Sequence, residues 1–155
     1  MAVVVTPEDI RRYIRDRVDV NYLYDNEVQF SDDRINNAME LVVSDIDITA
    51  PVTNYGTLSR LPPQTKSLVV IGTLKHLFFG EAGLAARNQF SYSDGGLTIP
   101  LEERFQYWIT LAQQYEQSFM SMLKQWKIAA NMDGALNGNR SWGEVRSDFA
   151  KFPKW

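Results

Sequence analysis

The chain has 155 residues, 45% of them hydrophobic and 23% charged, a composition that fits one folded domain with its own core rather than a disordered segment. Its formal charge of −3 excludes a protein whose main work is gripping nucleic-acid phosphates, which takes a basic face. With no cysteine and a single histidine, disulfide frameworks, thiolate metal sites, iron–sulfur clusters and cysteine nucleophiles are excluded as well.

Residues 1–5 carry no basic segment ahead of Val3-Val4-Val5, so no secretory signal is expected. Thr6-Pro7-Glu8-Asp9 then reads as a helix start: Thr6 to cap free amides, Pro7 with its φ preset, and two carboxylates facing the positive end of the dipole. Ile10, Tyr13 and Ile14 give this first helix an apolar stripe, and it is expected to end near Arg17, because residues 18–30 lose the period. A second start falls at Ser31-Asp32-Asp33. Ile35, Ala38, Met39, Val42 and Ile46 follow at amphipathic spacing, with Phe30 placed to staple the entry.

Residues 47–61, with Pro51, Asn54 and Gly56, read as a connector pinned by Tyr55. From Pro62-Pro63 a third helix is expected to about Asn88, apolar on nearly every face over residues 68–79 and therefore central to a bundle. That stretch is broken by Lys75 and His76 and reads as too short to span a bilayer, so no membrane association is expected. Gly72, Gly80 and Gly83 point to close backbone approach or to a bend near Gly80, and the bend is the expectation.

Residues 90–93 and 96–99 flank Asp94-Gly95, the pattern of a short hairpin, which must lean on the bundle or pair elsewhere to be stable. The strongest periodicity follows. Leu101, Phe105, Trp108, Ala112, Tyr115, Phe119, Met122, Trp126 and Ala129 alternate spacings of four and three, an unbroken heptad seam for a long helix over residues 101–131. A coiled-coil dimer is the lesser reading of that seam, since its large aromatics suit packing against several elements. After Asn131 the turn formers Asp133-Gly134 and Asn137-Gly138-Asn139 mark a linker. The segment from 132 to 155 then carries Trp142, Phe149, Phe152 and Trp155 with a net charge of +1, against −4 for the rest. It reads as an extended C-terminal arm. Its aromatics either fold back on their own bundle or, the favoured reading, insert into a neighbour, where such side chains serve as anchors.

Candidate chemistry is sparse. His76 lies in the most apolar helix and reads as a core or contact residue. Asp45-Ile46-Asp47 has a spacing that two cation ligands can use, but it recurs often by chance, and both acids sit near the negative end of a helix, so either the helix ends before them or they meet cations elsewhere. Glu102-Glu103 reads as a favourable helix start rather than an acid–base pair. No phosphate loop and no Gly-x-Ser-x-Gly elbow is present. No catalytic residue, metal or cofactor is expected.

The expected fold is mainly α: a bundle of about four helices over residues 1–131 with a small β-hairpin near 90–99, a long C-terminal helix, and an extended arm over 132–155. In order, these are a Thr-Pro-Glu start, an aromatic loop, Phe30-Ser31-Asp32-Asp33-Arg34-Ile35 opening a helix, an apolar helix, a Ser-Tyr-Ser-Asp-Gly-Gly hairpin and an aromatic-seamed long helix. Over residues 6–131 this resembles the head–tail connector adaptors of tailed bacteriophages. The resemblance implies a non-catalytic virion protein at the head–tail junction, assembled in the host cytoplasm as a homo-oligomeric, twelve-fold ring. It implies contacts to a portal protein and to a tail or neck protein, with genomic DNA passing through without specific binding. It further implies docking through the hairpin (Tyr92, Asp94, Gly95, Gly96) and through the arm (Trp142, Phe149, Phe152, Trp155). The connector near residues 51–61 and the aromatic arm depart from shorter members of that family. A tail-completion protein or another non-catalytic helical interaction module is the alternative.

Overall fold

The computed structural model describes residues 5–21, 27–87, 92–94, 97–99 and 102–137, with side chains in 5–21, 27–87 and 104–132. The described residues are mainly helical, with four α-helices. The chain divides into two compact units, Met1–Leu123 and Lys124–Trp155.

Helix α1 (Pro7–Ile14) begins where local chemistry dictates. Asp9 N–H donates to Thr6 Oγ1 and Thr6 N–H to Asp9 Oδ2, each at 3.2 Å, so the two residues satisfy each other's free amides. The helix stops at Ile14, before Arg17, because Arg15 turns into the left-handed region at φ 57° and the Asp16 N–H reaches back to Arg11 O. Glycine usually holds that position, and an arginine there costs roughly 1 kcal/mol more.

Helix α2 (Asp32–Ile48) opens on Ser31, whose Oγ accepts from Arg34 N–H, and it buries Ile35, Ala38, Met39, Val42, Val43 and Ile46 along one stripe. It runs two residues into the stretch expected to be connector. The 3-10 turns Leu58–Arg60 and Pro63–Thr65 then lead into α3 (Lys66–Arg87), so the diproline sets up a tight turn ahead of the helix. Helix α3 is the core helix: Leu68, Val69, Val70, Leu74, Leu77, Phe78 and Ala82 are buried, and it packs along α2. It stays helical through Gly80 and Gly83. Its flanks also lengthen it. Pro63–Arg87 is long and apolar enough to cross a membrane by length and composition alone, contrary to the expectation from residues 68–79, and 56% of its most apolar window is buried inside this protein. A core helix meets the same criterion.

Gly72 shows why a glycine lies in the middle of α3. A Cβ built there would sit 2.7 Å from a Phe119 ring carbon and 2.8 Å from Val42 Cγ2, so three helices meet at this one backbone position. Phe119 belongs to α4 (Glu102–Asn137), whose seam residues Ala112 and Phe119 are buried within the first unit, as is Leu123, the neighbour of the expected seam residue Met122. Phe78 of α3 meets Trp108 and Tyr115 of α4 at ring-centroid distances of 5.6 and 5.3 Å. The helix extends six residues past its expected end at Asn131, through Asp133 and Gly134, since Ala135 and Leu136 favour helix where one glycine costs only about 1 kcal/mol. Tyr92–Asp94 (β1) pairs antiparallel with Leu97–Ile99 (β2), Tyr92 opposite Ile99 and Asp94 opposite Leu97. Within the second unit, Lys127 is buried and holds its ammonium 6.0 Å from the Trp126 ring centroid.

Candidate interaction site

Two clusters of polar side chains in the first unit fix backbone or join helices, and a cleft lies beside the first of them. The first organises the loop between α1 and α2. Asp16, 4% exposed, accepts from Gln29 N–H at 2.8 Å, from Phe30 N–H at 3.0 Å and from the Asn21 side-chain amide. Arg11 donates to Phe30 O at 2.9 Å and pairs with Asp32 at 2.6 Å. Phe30 is thereby held on both backbone groups while its ring, 1% exposed, meets the edge of Phe78 at 6.4 Å.

The second cluster lies at the end of α2, on the acids weighed as cation ligands. Asp47 accepts from Tyr55 N–H, Gly56 N–H and Thr53 Oγ1, all at 2.9 Å, and so fastens the connector. The fastening at Tyr55 includes its backbone N–H, held by the aspartate at the helix end. Asp45 turns the other way, toward α3. Its Oδ2 accepts from Lys75 Nζ at 2.5 Å and lies 2.9 Å from His76 Nε2, which donates to it. Lys75 is 7% exposed and sits 4.7 Å from the centroid of the Phe119 ring. The two acids thus diverge, and no group of three or more potential metal ligands occurs among the described residues.

Burial pushes the Asp45 carboxyl up, but hydrogen bonds from His76 and Lys75 and the charge of Lys75 outweigh it and hold the group below its ordinary value of 3.8. A depressed carboxylate contributes stability that is present above that ordinary value and is lost as pH falls through the lower folded value. Asp9 is held low too, chiefly by the Thr6 backbone and then by Lys66, so both groups weaken the fold on the acid side. Asp45→Asn is expected to lower stability at neutral pH by about 2 kcal/mol, because a nearly buried ammonium keeps only a neutral acceptor and an aromatic face. Urea titrations from pH 7 down to 3 check this: the gap between wild type and variant should narrow toward pH 3. A constant gap would mean that packing, not the ion pair, sets the cost.

The third feature is a cleft of about 160 Å³ between the α1–α2 loop and α4, where Arg15, Asn21 and Gln29 face Phe78, Tyr107 and Trp108. Sites for drug-sized ligands occupy roughly 300–1,000 Å³, so this one is small for a metabolite. Burial, and then repulsion between its phenolate and those of Tyr13 and Tyr107, pushes the Tyr115 phenol up. Around it Tyr13 and Tyr107 are 57% and 60% exposed, which makes this end of the bundle aromatic at its surface.

The residues expected to dock partners are placed less fully. Tyr92 and Asp94 lie in β1, where the backbone alone is described. Gly95 and Gly96, and the arm residues Trp142, Phe149, Phe152 and Trp155, lie outside the described residues. The Asp16 cluster escaped sequence reasoning because its backbone partners stand 13 and 14 positions away, and the cation that meets Asp45 could not be identified as Lys75 because it stands 30 positions away, beyond any local spacing signal. Comparison with protein families, with curated proteins and with solved structures finds no match.

Proposed function

We propose that this chain is a non-catalytic structural subunit of a tailed-bacteriophage particle, an adaptor that forms a homo-oligomeric ring between portal and tail and gives genomic DNA a passage. The observation that carries this reading is the use made of the acidic side chains. Asp9, Asp16, Asp45 and Asp47 cap a helix, clamp a loop, join two helices and fasten a connector, which is how a rigid building block employs carboxylates. The order of elements along residues 6–131 supports the connector resemblance. The net charge of −3 suits a passage along which DNA slides without being held.

On this reading the hairpin around Asp94 and the arm bearing Trp142, Phe149, Phe152 and Trp155 are docking elements. Changing those four aromatics to serine is expected to leave the helical circular dichroism intact and to abolish oligomers of ring size in native mass spectra. A wild-type chain that never exceeds a dimer, and that is missing from purified particles of the phage encoding it, would overturn the adaptor reading in favour of a helical interaction module.

A further inference from the structure

Between Arg104 and Lys124, both exposed and charged, the outward face of α4 lacks the charge that a solvated helix normally carries. Ten residues are exposed between Phe105 and Leu123, and among them only Glu116 is ionisable at neutral pH; the others include Gln106, Gln113, Gln114, Gln117 and Ser121. On α2, by contrast, Asp32, Asp33, Arg34 and Glu40 are four of nine exposed residues. Lys and Glu are strongly hydrated, resist burial and keep copies apart, so a helix face without them avoids the largest cost of being covered, provided its glutamine amides find hydrogen-bond partners across the contact.

Two further observations point the same way. Tyr107, Thr110, Gln114, Gln117 and Ser121 follow the alternating spacings of a heptad seam, on the side of α4 opposite Trp108, Ala112, Tyr115 and Phe119. Glu116 stands outside that seam. The hydroxyls of Thr110 and Ser118 donate to Gln106 O and Gln114 O of their own helix at 2.7 and 3.0 Å, so covering them leaves no unpaired proton.

We infer that this face binds a second copy of the chain, α4 against α4, as a two-fold dimer. Charge selects the occupant. Chains of net charge −3 repel one another over most of their surfaces, and an uncharged face is where two of them approach without that repulsion. Glutamine amides both donate and accept, so the face is its own complement, and a self-complementary patch pairs about a two-fold axis. The seam from residue 107 to 121 spans about 21 Å, small for a dimer, so affinity in the micromolar range follows. A two-fold contact does not close a ring, which needs head-to-tail contacts, so this association is separate from the proposed ring and does not rest on it.

Because the chain contains no cysteine, a single introduced thiol reports the contact. Gln114 is the midpoint of the seam and meets its own copy whether the helices run parallel or antiparallel. Gln114→Cys should form disulfide-linked dimers under mild oxidation at least tenfold faster than Ser44→Cys, on the exposed face of α2. In sedimentation runs at up to several hundred micromolar, the wild-type chain should show a monomer–dimer equilibrium. Gln114→Glu combined with Gln117→Glu should remain monomeric with unchanged circular dichroism. A monomeric wild type, equal crosslinking rates, or a dimer that survives the double change would each overturn the inference. Ring-sized masses and presence in particles are read separately, so failure here leaves the adaptor reading standing.

Discussion

Gly72→Val is expected to destabilise the helical unit by about 3 kcal/mol, at the upper end of what overpacking a closed core costs, which is roughly 6–12 °C in Tm for a chain of this size. The reason lies in three helices converging on one backbone position. A Cβ at residue 72 would already be within 2.9 Å of two Phe119 ring carbons and of Val42 Cγ2, and two further methyl groups only enlarge the overlap. Neither neighbour has an easy retreat. Phe119 and Val42 are both fully buried, and the face of Phe119 also receives the Lys75 ammonium.

Gly72→Ala is the finer version of this test. Alanine gains about 1 kcal/mol over glycine in helix propensity, so the net loss should be nearer 1 kcal/mol. Combining Gly72→Ala with Val42→Ala, which removes one of the crowding methyls, should cost less than the two changes added separately, by about 1 kcal/mol. Denaturant titration of the four proteins measures that coupling. Strict additivity would show that α2 and α3 separate easily and that Gly72 is not a point of close approach.

What was legible in the sequence is what local chemistry and periodicity control. The Thr6-Pro7-Asp9 start, the Ser31 cap, the buried stripe from Ile35 to Ile46 and the α4 seam through Ala112 and Phe119 all depend on neighbours within one or two helical turns. Gly72 was legible as a place of close approach, but not the identity of its neighbours. Gly80 and Gly83 are not places of close approach: a Cβ at Gly80 would make ordinary contact with an Arg34 side-chain nitrogen at 3.7 Å, and at Gly83 it would meet nothing. The end of α4 was misplaced because Asp133-Gly134 is a turn signal only where the following residues do not continue the helix, and here they do.

The candidate contact residues illustrate a different limit. Aromatic residues in the C-terminal segment and a hairpin signal can be recognised from the sequence, whereas the uncharged face of α4 becomes visible only once burial shows which half of the helix is already packed. Glutamine and serine give no hydrophobic signal, so a search for apolar periodicity passes over them. The same holds for Asp45 and Asp47. Their spacing alone does not tell where each points, and the structure sends one to Lys75 and His76 and the other to the connector backbone.

Asp16→Ala is the second change expected to have a large effect, a loss of about 3–4 kcal/mol, because it removes an ionised acceptor from two backbone amides that lie in or beside the core. Phe30 N–H is buried and, with the carboxylate gone, has no replacement acceptor at hand. Gln29 N–H loses its partner as well, and Arg11 keeps its bond to Phe30 O while the segment it holds is loosened on the other side. The loop between α1 and α2 would then be held chiefly by the burial of the Phe30 ring against Phe78. Asp16→Asn should rescue little, since an amide offers one acceptor oxygen where two are used and turns an N–H toward a backbone donor. Amide hydrogen exchange separates these contributions. In Asp16→Ala the Phe30 amide should exchange faster by more than the global loss of stability requires, whereas amides in the middle of α3 should track the global loss alone. If Phe30 exchanges in step with α3, ring burial rather than the carboxylate fixes the loop, and the cleft beside Tyr107 would keep its shape without Asp16.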